Sequence, residues 1–121
     1  MVPTTKELGD IGEEHAAIYL AQAGCIILER NYRFRKLEVD IIVEDGKTLV
    51  FVEVKLRGPE HLVPPKEAIN GSKQRKIFEA AEAFVEERKD DRNIRFDIVE
   101  VLLYGSKPKL NWIKDAFRPG W

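Results

Sequence analysis

Asp40 and the later triplet Glu53-Val54-Lys55 are the residues whose types and spacing could do chemistry. Glu38 to Glu44 and Thr48 to Arg57 read as two strands, and the Asp45-Gly46 pair between them is a strong hairpin signal. A two-residue Asp45-Gly46 loop sets Glu44 against Lys47, and hence Ile42 against Leu49, Asp40 against Phe51 and Glu38 against Glu53. Side chains alternate along a strand. Glu38, Asp40 and Ile42 are therefore expected to share one face with Leu49, Phe51, Glu53 and Lys55. Val39, Ile41 and Val43 would share the other with Val50, Val52, Val54 and Leu56, a wholly apolar face that something must cover. On this register Asp40 lies diagonally from Glu53, about 7–8 Å away between backbone positions and within reach of a common ion. Gathered carboxylate oxygens suit a hard divalent cation such as Mg²⁺ or Mn²⁺. Lys55 would stand beside that cation, placed to orient or deprotonate a water or to stabilise charge on a phosphate. The plainer alternative is that Lys55 neutralises Glu53 in a strand-end ion pair worth about 0–1 kcal/mol.

Two basic segments lean toward an anionic partner. Arg30, Arg33, Arg35 and Lys36 fall within one short acid-free run. Lys73, Arg75 and Lys76 fall at the start of a second helix, where the macrodipole disfavours cations unless a phosphate docks there. A solvated helix end is the simpler account of them. Glu13 lies at the edge of the first helix's apolar stripe, where it could face the sheet or be an ordinary boundary residue. His15 reads as a surface or boundary residue and His61 as a loop residue. Trp112, Phe117 and Trp121 read as core or interface aromatics before base-stacking platforms.

The elements that must position these groups follow in order. Thr4 and Glu7 form a capping box opening a helix to about Ala23, with Leu8, Gly12, Ala16, Tyr19, Leu20 and Ala23 as its buried stripe and Gly24 as its stop. Cys25 to Tyr32 reads as a buried strand. After the hairpin, Gly58 to Gly71, with Pro59, Pro64 and Pro65, reads as a surface loop. A second helix runs from Ser72 to near Lys89 on a stripe of Ile77, Ala81, Phe84 and Val85. Arg95 to Tyr104 is a fourth strand and Leu110 to Ile113 a fifth. The order α-β-β-β-α-β-β predicts an α/β fold with a mixed sheet.

Composition excludes several classes. The chain has 121 residues, with 44% hydrophobic and 34% charged, which suits one domain with a packed core and not a disordered segment. A net charge of −1 means that any polyanion site must be a local patch. One cysteine and two histidines exclude a disulfide framework and cysteine-based or multi-histidine metal centres. No apolar run reaches the roughly 18 residues of a membrane span, and Met1 to Asp10 does not resemble a signal peptide, so a cytoplasmic protein is expected. Ser72 and Ser106 lie outside any nucleophile-elbow pattern, and Cys25 reads as buried and inert.

Arg30-Asn31-Tyr32-Arg33, Glu38-Val39-Asp40-Ile41-Ile42 and Leu49-Val50-Phe51-Val52-Glu53-Val54-Lys55 with Arg57 together resemble the YraN-like family, which is bacterial and nuclease-like. Gly12-Glu13 with Ala16, Ala17, Tyr19 and Leu20 matches its first helix. Glu67-Ala68-Ile69, Lys73-Gln74-Arg75-Lys76, Arg95-Phe96-Asp97 and Ala116-Phe117 match its later blocks. That family in turn resembles the restriction-endonuclease-like superfamily, including archaeal Holliday-junction resolvases. The resemblance implies a three-layer fold, a central mixed sheet flanked by helices, and a single endonuclease-like domain over residues 1–121. It also implies Glu13 as a helix carboxylate of the site, Asp40 and Glu53 as metal ligands, the Val54 carbonyl as a further ligand and Lys55 as the lysine beside the attacking water. Gln74 matches a supporting helix position. Leu37 stands where the family usually has glycine, which would narrow the site or alter substrate choice.

The expected function is a Mg²⁺- or Mn²⁺-dependent nuclease cleaving DNA phosphodiester bonds by structure, not by sequence. Arg30, Arg33, Arg35, Lys73, Gln74 and Arg75 would bind nucleic acid, and patches this small favour a homodimer. The alternative is a non-catalytic module on the same fold that binds nucleic acid or a protein partner. A third reading, a structural protein whose acids only pair with lysines, expects no divalent binding.

Overall fold

A computed structural model describes residues 3–63 and 69–119. The readings that fell on Pro64, Pro65, Glu67, Ala68 and Trp121 lie outside the described residues. The elements are α1 (Thr5–Gln22), β1 (Ile26–Phe34), β2 (Leu37–Asp45), β3 (Thr48–Arg57), α2 (Gly71–Arg88), β4 (Ile94–Leu102) and β5 (Lys109–Ile113). The strands form one sheet in the order β1-β2-β3-β4-β5. Every pairing is antiparallel except β3 with β4, which α2 connects in parallel. A helix lies against each face, giving a three-layer α/β fold.

Each helix starts on a side-chain cap. The expected capping box holds α1: Glu7 N–H donates to Thr4 Oγ1 (3.1 Å) and Thr4 N–H to Glu7 Oε1 (3.1 Å). Gly24, with φ of 100°, ends it in the left-handed region that glycine tolerates. α2 begins one residue earlier than Ser72, because Asn70 is its cap and accepts from Lys73 N–H (3.1 Å). Ala16, Ala17 and Leu20 of α1 bury against Ile41, Val43, Val50, Val52, Val99 and Val101. Tyr19 and Ala23, expected in that stripe, are exposed, and Ala17 takes the buried position instead. On the opposite face Ile77, Phe78, Ala80, Ala81 and Phe84 of α2 pack on Val39, Ile42, Leu49, Phe51, Phe96 and Phe117. The rings of Phe51 and Phe84 meet edge to face, as do those of Phe78 and Phe96, at centroid distances of 5.8 and 4.7 Å. Each such ring contributes roughly 1.5–3 kcal/mol by burial.

The hairpin register differs from the expected one by two residues. Asp45 pairs with Thr48, Glu44 with Leu49 and Ile42 with Phe51, so the loop is Gly46-Lys47. Gly46 has φ of 62° and is the first loop residue, the position where a type II′ turn requires glycine. Asp45 stays in the ladder because Arg95 Nη2 donates to its Oδ2 at 2.8 Å. Glu38 lies beyond the last pair of this ladder, so it does not face Glu53; its partner is Arg33 of β1.

The expected two-face pattern of the hairpin also breaks, at Asp40, and β1 turns over beside it at Asn31. Arg30 reaches α1 through Glu14, yet Tyr32, two residues on, packs its ring on Phe84 of α2. Val39 likewise joins the α2 core, whereas Ile41 joins the α1 core. Asn31 has φ of 53°, which turns β1 over at this point.

β1 and β5 are the sheet's edges, so β1 is only partly covered. Cys25, just before it, is buried. Trp112 and Phe117 serve the chain's own core, Phe117 beneath α2 and Trp112 edge-on to Tyr19 at 6.3 Å. Among the described residues no helix is long and apolar enough to cross a membrane.

Candidate functional site

The pairing of β2 with β3 stops at Ile41 and Val52. Beyond it, Leu37 pairs only with β1, and β3 from Glu53 to Arg57 pairs only with β4. The two strands part there and leave a notch. In place of ladder bonds, Asp40 Oδ2 accepts the Val54 N–H at 2.8 Å, and Glu53 Oε1 accepts the Asp40 N–H at 3.4 Å. Side-chain carboxylates have replaced backbone carbonyls as acceptors across the fork. The notch is a cavity of about 210 Å³, lined by Gly9 and Glu13 of α1, Asp40 of β2, Glu53 to Arg57 of β3, and Ile69 and Lys73 at the start of α2. Gly12 lets α1 come this close: a Cβ there would lie 2.4 Å from Leu56 Cδ1.

The profile of the uncharacterised protein family UPF0102 matches residues 12–101, a span that holds Glu13, Asp40, Glu53, Lys55 and Lys73. The chain belongs to this family, the YraN-like proteins. It is 43% identical to a UPF0102 protein of Geobacter metallireducens, over 93% of each chain. It is 44% identical to one of Syntrophus aciditrophicus, over 90% of this chain and 87% of that one. A third relative, from Caldicellulosiruptor saccharolyticus, is 45% identical over 93% of this chain and 98% of its own.

The notch of this UPF0102 chain is electrostatically divided. Burial, and then the charge of Asp40, push the Glu53 carboxyl well above its ordinary range. Burial also raises that of Asp40, against the Val54 N–H that favours its ionised form. Glu13 is pushed up to about 7, first by burial and then by Asp40 and Glu38. On the other side, burial and the neighbouring Arg57 lower the proton affinity of the Lys55 amine. Ionising the three acids together is costly, and a bound cation would relieve that cost.

A pH dependence follows. A carboxyl that binds its proton more tightly when folded destabilises the fold as it ionises. From Glu13, the metal-free protein is expected to lose stability as pH rises from about 4.5 to about 7. Asp90 acts in the opposite sense: bonds from Arg92 hold it at about 2, so its contribution is lost only in stronger acid. Denaturant midpoints taken across this range in chelator check the sign, and Glu13→Gln should remove part of the slope.

The notch brings together Glu13, Asp40, Glu53, Val54, Lys55 and Lys73 from the expected site residues. The others go elsewhere. Arg30 pairs with Glu14 (2.8 Å), Arg33 with Glu38 (3.5 Å), and the Arg35 guanidinium lies 5.1 Å from the centre of the Phe34 ring. Gln74 Nε2 donates to the Ile69 carbonyl (3.3 Å) and so fixes the chain's entry to α2. Arg75 is exposed on α2, and Lys73 alone of the basic residues there lines the notch. Leu37 packs on the α2-side core and does not line the notch, so it does not narrow this cavity. Arg57 and Ile69 line it without having been picked out as site residues. The fork that exposes them depends on where two strands separate, which periodicity does not encode.

The donor set can be tested against a metal. Among the described residues no three His, Cys, Asp or Glu side chains converge as a ready-made cage. Two adjacent carboxylates with room for water suit Mg²⁺, which keeps several waters and takes one or two carboxylates. Asp40 and Glu53 would hold it, with the Val54 carbonyl as a further oxygen donor.

Proposed function

We propose that this protein is a metal-dependent phosphodiesterase acting on nucleic acid, most simply DNA recognised by its structure. The observation that carries the reading is the notch itself, where carboxylates of raised proton affinity face Lys55 and Lys73 across a small cavity. A bound Mg²⁺ or Mn²⁺ would supply Lewis-acid polarisation of the phosphate and a more acidic water. Asp40 and Glu53 would bind the cation. Lys55, with its proton held less tightly than usual, would orient the water or accept its proton, and Lys73 would meet a phosphate oxygen at the α2 N-terminus. Arg75 and the β1 cations would contact flanking phosphates, and a homodimer would present two such surfaces.

The test titrates Mg²⁺ and Mn²⁺ calorimetrically into the wild type and an Asp40→Ala/Glu53→Ala variant, then offers both branched, flapped and linear DNA. Binding and cleavage should vanish together in the variant. DNA binding that survives the acidic substitutions but weakens with Lys73→Ala and Arg75→Ala, with no cleavage by either protein, would establish the non-catalytic module instead.

A further inference from the structure

Asn31 carries the left-handed backbone that turns β1 over beside the notch. It lies between the Arg30–Ile41 and Tyr32–Val39 pairs, abreast of Asp40. That conformation costs most residues roughly 1–2 kcal/mol and is one that asparagine tolerates better than most. With the side-chain amide turned so that its nitrogen and not its oxygen meets the two carboxylates, Asn31 Nδ2 donates to Glu13 Oε1 at 2.7 Å and to Glu38 Oε1 at 3.2 Å. One side chain on the edge strand thus ties a helix carboxylate to a strand carboxylate. The chemistry of the donor matters. An arginine or lysine here would neutralise Glu13 and compete with a cation, whereas an amide directs the carboxylate and leaves its charge available.

We infer that Asn31 is a positioning residue whose amide clamps Glu13 at the notch, and that this clamp sets how tightly a divalent cation is held there. The inference rests on the metal reading above. It also explains the turned-over strand: an extended residue 31 would continue the alternation and send its side chain away from Glu13.

Asn31→Gly is the cleanest variant, since glycine accepts the left-handed backbone and only the amide is lost. Free Mn²⁺ followed by electron paramagnetic resonance should show affinity falling up to about 10-fold, the lower end of the loss seen when an outer hydrogen-bond partner of a metal site is removed, because Asn31 orients Glu13 beside the Asp40–Glu53 pair. A second measurement needs no metal. In ¹⁵N–¹H spectra of the metal-free protein, the Asn31 side-chain amide signals should shift in Glu13→Ala and stay in place in Glu14→Ala. Signals unmoved by Glu13→Ala overturn the inference. Wild-type Mn²⁺ affinity retained in Asn31→Gly overturns it alone, whereas a wild type that binds no Mn²⁺ overturns it together with the metal reading.

Discussion

Asp40→Asn/Glu53→Gln is expected to make the metal-free protein more stable at neutral to alkaline pH while abolishing its divalent binding. Both carboxyls hold their protons more tightly than free ones because the notch is poorly solvated and they face each other. Keeping them ionised works against folding, and the isosteric amides remove that cost. The amide oxygens can still accept the Val54 and Asp40 N–H groups, so the fork should survive. A gain of about 1 kcal/mol would raise the melting temperature by roughly 3–6 °C in a chain of this size. Saturating Mg²⁺ should reverse the order, since a ligand at about 100 times its dissociation constant stabilises only the protein that binds it, by about 2.7 kcal/mol. Any cleavage should fall at least about 10³-fold, because metal polarisation is worth several kcal/mol and each 1.36 kcal/mol is tenfold. Melting curves in chelator and in Mg²⁺ decide it. A variant less stable than wild type in chelator would show that the two acids serve the fold rather than a ligand.

Much of this was legible from residue types alone. The capping box, the Gly24 stop and the order of elements are local signals, and the structure follows them. Glu53, Lys55 and Asp40 stood out because charges in an apolar hairpin need a reason, and they do line one cavity. The register failed by two residues because Asp-Gly marks a turn without saying whether Asp45 belongs to the loop or to the ladder, and the Arg95 ion pair decides that from afar. That shift leaves each residue on its side of the pleat, so it alone would not have changed which residues gather. The larger failure was to assume unbroken alternation along β2 through Asp40, abreast of which Asn31 turns β1 over. A single left-handed residue reverses the faces beyond it, and asparagine is only weakly marked for that role. The arginines of the basic run from Arg30 to Lys36 each have a neighbour in the chain that the run itself does not announce: Glu14 for Arg30, Glu38 for Arg33 and the Phe34 ring for Arg35.

Asp97 shows what a pattern of apolar and polar residues does not reveal. It is fully buried, and its carboxylate is satisfied on every side. Arg95 donates to both oxygens (2.8 Å each), Trp112 Nε1 to Oδ2 (2.9 Å) and the Asp115 N–H to Oδ1 (2.9 Å). The same Arg95 reaches Asp45 at the hairpin end, so one buried acid ties β2, β4, β5 and the turn after β5 together. Asp97→Ala would leave an indole N–H and a backbone N–H without their acceptor and the Arg95 guanidinium with Asp45 alone. Removing one partner of a buried pair costs about 3–5 kcal/mol, and the lower end applies here because Arg95 keeps Asp45. Asp97→Asn keeps one acceptor oxygen and should lose about 1–3 kcal/mol. Urea unfolding followed by tryptophan fluorescence measures both, with Trp112 reporting from within the network. A loss below about 1 kcal/mol for the alanine variant would mean that water replaces the carboxylate without cost. None of these residues lines the notch, so divalent affinity should stay unchanged in whatever fraction remains folded. That separation distinguishes the acid that holds the sheet together from the acids that the sheet brings together.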